Sequence, residues 1–309
     1  MLQFERLIFA PGVAQVANTV FINSGLEEAI DLSGIEDISE TPDTPLYNLV
    51  GDVYADDNER GGNGEMIAEF AGRQCYRSWA KGRPTAEYIL NVIAMGHGSV
   101  FEHASQVFQL TGVSRSLTHE LARHRVGTAI SQESQRYVDA KDIRFVVPPL
   151  LVNAIVGETG GIPQHPLESL KLSSLTAKAM EIFTRSCSRA LEDYIEIQPL
   201  LKELCEQAHK AAIDGNVKLA TSAQKRANEA ARSVLPNATE TRLLYTVNLR
   251  QMFHLLTLRG GEPADLEIRR LAVALLDHAR GYAPNFFKTI KLFIGDDGLE
   301  ALRSEVTKL

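Results

Sequence analysis

Apolar positions recur at helical spacing through most of this chain, with a few stretches where the period shortens to two. From residue 66 to 96 the pattern predicts two helices, MIAEFAGRQCYRSWA and TAEYILNVIAMG. In the second, Tyr88, Ile89, Val92 and Ile93 fall on one side of a 3.6-residue period, and Gly96 stops it. The segment HGSVFEH (97–103) reads as a loop. SQVFQLTGV then alternates as a strand does, with Phe108 and Leu110 sharing a face. Residues 114–125 return to helix, Leu117 and Leu121 one turn apart, and Arg115, His119 and Arg123 repeat at four-residue steps as a cationic stripe. IRFVV (143–147) predicts a strand closed by Pro148 and Pro149, and the Gly- and Pro-interrupted stretch 151–165 predicts a loop. Long helical patterns fill 166–214, and another helix runs to about Leu235 before Pro236. TRLLYTVNLRQMFHLLTLR (241–259) reads as one helix ended by Gly260 and Gly261, and LEIRRLAVALLDHARGY as another stopped by Gly281 and Pro284. Many helices, few strands and no βα alternation predict an α+β fold, helix-rich, built as a single domain around a small central sheet.

Composition adds bounds. A 309-residue chain with 44% hydrophobic and 23% charged residues has the make-up of a soluble globular protein. No apolar run approaches a membrane span, and MLQFERLIFAPG lacks the layout of a secretory signal, so a cytoplasmic location is expected. Cys75, Cys187 and Cys205 are odd in number and show no CxxC spacing, which suggests neither a disulfide framework nor a zinc knuckle. The net charge of −7 is unevenly placed: residues 1–65 hold 13 acids against 2 bases, a balance of −11, which leaves +4 for the rest. Eleven of those acids lie between Glu27 and Glu59 with no Lys or Arg among them, which predicts a mobile or loosely packed N-terminal extension.

The chemistry concentrates in RHRVGTAISQESQRY (123–137). Arg123 and Arg125 stay charged at any physiological pH and repel each other unless an anion lies between them. A solvated charged face would explain a lone RHR; the attached Ser134, Gln135 and Arg136, and a second Arg-rich stretch downstream, favour a phosphate-bearing ligand. Neither GxGxxG nor GxxxxGK[ST] occurs, so side chains must hold such a ligand, and guanidinium grips phosphate with paired hydrogen bonds. HELARH (119–124) resembles a zinc-protease motif, but its second His comes at i+5, about 100° off the required face. Glu120 and His124, at i and i+4, are expected to touch, with Glu120 orienting or charging the imidazole. His97 and His103, six apart with no Cys nearby, make a weak metal pair, so no metal is expected. A negative net charge and the lack of an aromatic and basic platform argue against nucleic acid.

Taken in order, HGSVFEHA, RHRVGTAISQESQRY, ARSVLP, TVNLRQMFHLLTLR and LEIRRLA resemble the flavin-dependent thymidylate synthases. The resemblance implies a catalytic domain at 66–290 with a helical insertion-like region at 151–200, flanked by the acidic extension 1–65 and a C-terminal tail 291–309. It implies reductive methylation of dUMP to dTMP, with carbon from 5,10-methylenetetrahydrofolate, reducing equivalents from NADPH through FAD, and no cysteine nucleophile. By the same resemblance, Ser99, Arg123, His124, Arg125, Gln132, Asn248, Leu249, Arg250 and His254 are expected to hold the flavin. Glu120, Arg123, Gln132, Glu133, Ser134, Gln135, Arg136, Arg232 and Arg259 are expected to hold dUMP, and Arg259 also to be the catalytic arginine. A homotetramer with shared active sites is implied, with no nucleic acid or membrane partner. The chain departs from the family pattern in having eight residues, Val126 to Glu133, between RHR and Ser134, and in Pro263-Ala264-Asp265 after Arg259. A flavin- or nucleotide-binding protein without turnover is the alternative.

Overall fold

The computed structural model describes residues 2–20, 29, 32, 62–79, 83–166, 169–212 and 220–306. Most of the acidic stretch 27–59 lies outside the described residues. Helices and small sheets mix as an α+β fold requires. The strands are β1 (Leu7–Ile8), β2 (Gly12–Asn18), β3 (Ser105–Ser114), β4 (Thr128–Gln132), β5 (Phe145–Val146), β6 (Glu240–Asn248), β7 (Ile290–Ile294) and β8 (Glu300–Ser304). The helices are α1 (Asn63–Tyr76), α2 (Thr85–Ala94), α3 (Arg115–Leu121), α4 (Pro149–Thr159), α5 (Ser174–Ala212), α6 (Ala220–Ala231), α7 (Leu249–Arg259), α8 (Leu266–Tyr282) and α9 (Pro284–Phe287). The sheets are a four-stranded β2–β3–β6–β4, a parallel pair β1–β5 and an antiparallel hairpin β7–β8.

The chain divides into two compact units. The first comprises residues 1–12, 110–121 and 131–243. Its core packs Leu7 and Phe9 with Val147, Val152, Ile155 and Met180, so the N-terminal segment is held by apolar burial. The 39-residue helix α5 buries Tyr194 in a second cluster with Ala140 and Ala231.

The second unit comprises residues 13–109, 122–130 and 244–309. Phe286 anchors its core, with ring centroids 4.2 Å from Phe101, 5.5 Å from Phe253 and 4.8 Å from Phe287, in tilted and edge-on arrangements that aromatic quadrupoles favour. Helix α1 carries an unexpected buried polar stripe, Glu65, Glu69 and Arg73, each one turn from the next. Glu65 accepts from Phe286 N at 2.8 Å and Asn285 Nδ2 at 2.9 Å, satisfying donors at the start of α9.

Several sequence expectations are corrected. The stretch 241–259 is not one helix: β6 runs to Asn248 and α7 begins at Leu249. Thr241, Leu243, Tyr245 and Val247 are buried while Arg242 and Leu244 are exposed, a period of two that makes this a strand. The predicted loop at 151–165 begins inside α4, where Pro148 and Pro149 start a helix instead of merely ending a strand. HGSVFEH contains a 3-10 turn at Gly98–Glu102. Helix α3 stops at Leu121, so the four-residue spacing of Glu120 and His124 is not a helical one. Within the segments set apart as extension and tail, residues 12–18, 290–294 and 300–304 form strands.

Candidate active site

In the second unit the site grows from the junction of β6 and α7. Asn248 ends the strand and caps the helix: its Oδ1 accepts from Gln251 N at 2.9 Å. Its own backbone N donates to Gly127 O at 2.9 Å. Gly127 sits at φ +69°, and a Cβ there would overlap the Asn248 side-chain amide, so the RHR segment can approach the helix only through glycine.

That approach sets His124. The imidazole is 7% exposed, and its Nε2 accepts from Arg259 Nε at 3.0 Å. Since arginine only donates, Nε2 carries no proton in this pair. The His254 ring lies 5.6 Å away. Burial first, then the charges of Arg259, His254 and Arg123, holds His124 below its ordinary 6.5. The folded chain keeps this ring neutral while the unfolded chain protonates it, so the stability it contributes is present above pH 6.5 and is lost as pH falls through the depressed folded value. Chemical unfolding of the protein should show a falling midpoint between about pH 7 and pH 5. His124→Gln, which keeps an acceptor but does not titrate, should flatten that dependence; an identical slope would count against the assignment.

Arg123 and Arg125 flank this buried ring, exposed, and make no ion pair among the described residues. Arg250 pairs with Glu102 Oε1 at 2.5 Å. Asn248, Arg250 and His254 line one cavity of about 690 Å³, with Phe253 supplying apolar surface. Ser99 is exposed on the 3-10 turn that also carries Glu102. Leu249 is 1% exposed, its N–H bonded to Ala104 O at 2.9 Å, and belongs to the packed interior.

The first unit gathers the other candidate residues. Ser134 opens a turn in which its carbonyl accepts from Tyr137 N and Val138 N, both at 3.0 Å, and its Oγ faces Arg136 N at 3.4 Å. Arg136 Nε lies 2.7 Å from Glu229. Gln132 Nε2 donates to Thr241 Oγ1 at 3.1 Å, fixed by the alternation of β6. Glu133 N bonds Arg242 O at 2.9 Å. Glu120 lies partly exposed near the end of α3, and Arg232 begins a 3-10 turn after α6. In the sequence Arg115 is one member of a helical stripe. Burial and the charge of Arg232 lower its pKa while Glu133 raises it, and its Nη1 is buried without a hydrogen-bond partner. Gln135 Nε2 is buried unpartnered as well. These are two buried donors that the described structure leaves without an acceptor.

Among the described residues no group of His, Cys, Asp or Glu could hold a metal, and no helix is long and apolar enough to cross a membrane. Cys187 is buried, its thiol pushed up to about 12, which leaves it inert as a nucleophile.

The sequence profile described as "Thymidylate synthase complementing protein" matches residues 60–285. A flavin-dependent thymidylate synthase of Mycolicibacterium vanbaalenii is 40% identical over 246 residues, covering 78% of this chain and 85% of the relative. Its counterpart in Mycobacterium sp. strain JLS is 41% identical over 241 residues, 77% of this chain and 84% of the relative. That of Mycobacterium tuberculosis strain H37Ra is 40% identical over 245 residues, with 78% and 85% covered. A match over most of the chain places this protein in the family of flavin-dependent thymidylate synthases.

Proposed function

We propose that this chain methylates dUMP reductively to dTMP, taking carbon from 5,10-methylenetetrahydrofolate and reducing equivalents from NADPH through FAD. The observation that carries the reading is the Arg259–His124 pair, a fixed cation on a neutral imidazole, in the unit that also presents the 690 Å³ cavity. The residues fit a flavin dinucleotide. The cavity has an apolar side for a ring system, and Gln251 Nε2 and Thr257 Oγ1 on its lining residues are buried without partners. Within this unit Ser99, Arg123, His124, Arg125, Asn248, Arg250 and His254 are the residues assigned to it; the Leu249 side chain is packed in the interior, and Gln132 belongs to the first unit. When bound, reduced flavin supplies hydride, so no cysteine nucleophile is called for.

This chain's own residues bind, orient and polarise. Ser134, Gln135, Arg136 and Arg232 take the nucleotide phosphate, with Gln132, Glu133, Glu120 and Arg123 around it. Arg259 stabilises the negative charge that develops as the uracil imide loses its N3 proton. A neutral His124 holds the guanidinium without competing for that charge. The catalytic domain is assigned to 66–290, with 151–200 as a helical region within it, between the acidic extension 1–65 and the segment 291–309. The working form is assigned as a cytoplasmic homotetramer with shared sites.

Purified protein supplied with dUMP, FAD, NADPH and methylenetetrahydrofolate should form dTMP, and omission of FAD should abolish it. The eight-residue RHR-to-Ser134 spacing favours one rival, a binding protein without turnover. Folded, flavin-loaded protein that binds dUMP and yields no dTMP would establish that rival.

A further inference from the structure

The cavity has a second wall, outside both the motifs and the family match. That match ends at residue 285, yet Leu302, Arg303 and Ser304 of β8 line the same space as Asn248, Arg250 and His254. The hairpin is fastened to its surroundings rather than draped over them. Leu302 N donates to Gly260 O at 2.7 Å, directly after Arg259, and Arg280 Nη2 donates to Ile290 O at 2.8 Å. At its turn, the buried Arg269 pairs with Asp297 at 2.5 Å, and Asp296 N donates to Glu262 Oε1 at 2.6 Å. A wall pinned at both ends can position a ligand group.

Charge then singles out one residue. Of the cavity's charged groups, Glu102 and Arg250 neutralise each other. Arg303 makes no ion pair among the described residues; its guanidinium lies 5.2 Å from the Phe293 ring centroid. A guanidinium resting on an aromatic face keeps its N–H edge available to an anion. On α7 the lining residues Gln251 and Thr257 each carry a buried polar atom without a hydrogen-bond partner, Gln251 Nε2 and Thr257 Oγ1. Gln251 is 9% exposed, so its amide has little access to solvent in place of a ligand.

We propose that the C-terminal hairpin completes the flavin site, with Arg303 pairing with a phosphate of the dinucleotide and Gln251 donating to an acceptor of the same ligand. This rests on the reading that the cavity holds FAD. The test is direct titration of apoprotein with FAD, followed by flavin fluorescence and equilibrium dialysis. Arg303→Gln should raise the Kd for FAD about tenfold and flatten its dependence on salt, as loss of one phosphate contact requires. Gln251→Leu should also weaken FAD while leaving the apoprotein at least as stable, because an orphaned donor has been removed. Binding of dUMP should be unchanged in both. If the unsubstituted protein binds FAD and both variants bind it equally well, the hairpin assignment fails alone. If the unsubstituted protein binds no FAD, the functional reading fails with it.

Discussion

Arg259→Ala should reduce dTMP formation by about 10²–10³-fold or more, while the protein still takes up FAD. Arg259 is the last residue of α7, with its Nε on the unprotonated nitrogen of His124. Nothing else in that pair carries a fixed positive charge, because His124 is held neutral by burial and by the cations around it. Alanine therefore removes the charge proposed to meet the imide anion, and the imidazole cannot stand in for it. Arg259→Lys should stay badly impaired: an ammonium keeps the charge but lacks the planar fork whose Nε bonds His124. Single-turnover dTMP formation, with flavin absorbance as the control for loading, separates loss of chemistry from loss of cofactor. Activity within a few-fold of the parent would sink the assignment.

The largest expected effect on stability lies elsewhere, at Arg73. Its guanidinium pairs with Glu69 at 2.6 Å, with both side chains at most 2% exposed, and it donates to Ser78 O at 3.1 Å and Arg83 O at 3.0 Å. It also stacks 4.3 Å from the Tyr88 ring centroid. Arg73→Met leaves a buried carboxyl and two carbonyls without their donor, and should cost about 3–5 kcal/mol. Burial already holds Glu69 above the ordinary carboxyl range, against the pull of Arg73. Without Arg73 the folded carboxyl binds its proton more tightly still. A raised folded pKa means stability present at low pH and lost as pH rises, so the deficit of the variant should be larger at about pH 8 than at about pH 5. Urea unfolding at the two pH values measures it. A deficit below about 1 kcal/mol at both would mean the pair is not a buried one.

Where burial follows a single period, the sequence was readable. Helices α2 and α8 and strand β3 are legible because one apolar face recurs along each of them. Strand β6 is not: the adjacent Leu243 and Leu244 blur its alternation, and α7 follows with no breaker between them. Asn248 was taken as a mid-helix polar residue, although Asn before an apolar run is an N-cap signal in its own right. The motifs single out both groups of residues, because closely spaced arginines repel each other unless an anion screens them. They could not show that His124 would face Arg259, since that depends on where the RHR segment meets α7. Arg115 looked like one member of a stripe, but α3 ends at Leu121 and Arg123 lies beyond it. The unpartnered state of Gln251 and Thr257 has no sequence signature at all. Glu65, Glu69 and Arg73 carry no sequence mark of burial: the partners of Glu65 come from Asn285 and Phe286, far along the chain, and those of Arg73 from the turn that follows the helix.

Gly127 ties the RHR segment to the start of α7 through its carbonyl, and Asn248 passes that tie on to Gln251. The amide protons of Asn248 and Gln251 are therefore protected by one small structure, and a single local opening exposes both to solvent exchange. Deuterium uptake at these two amides reads the order of the neighbouring arginines, whose own side chains leave no such record.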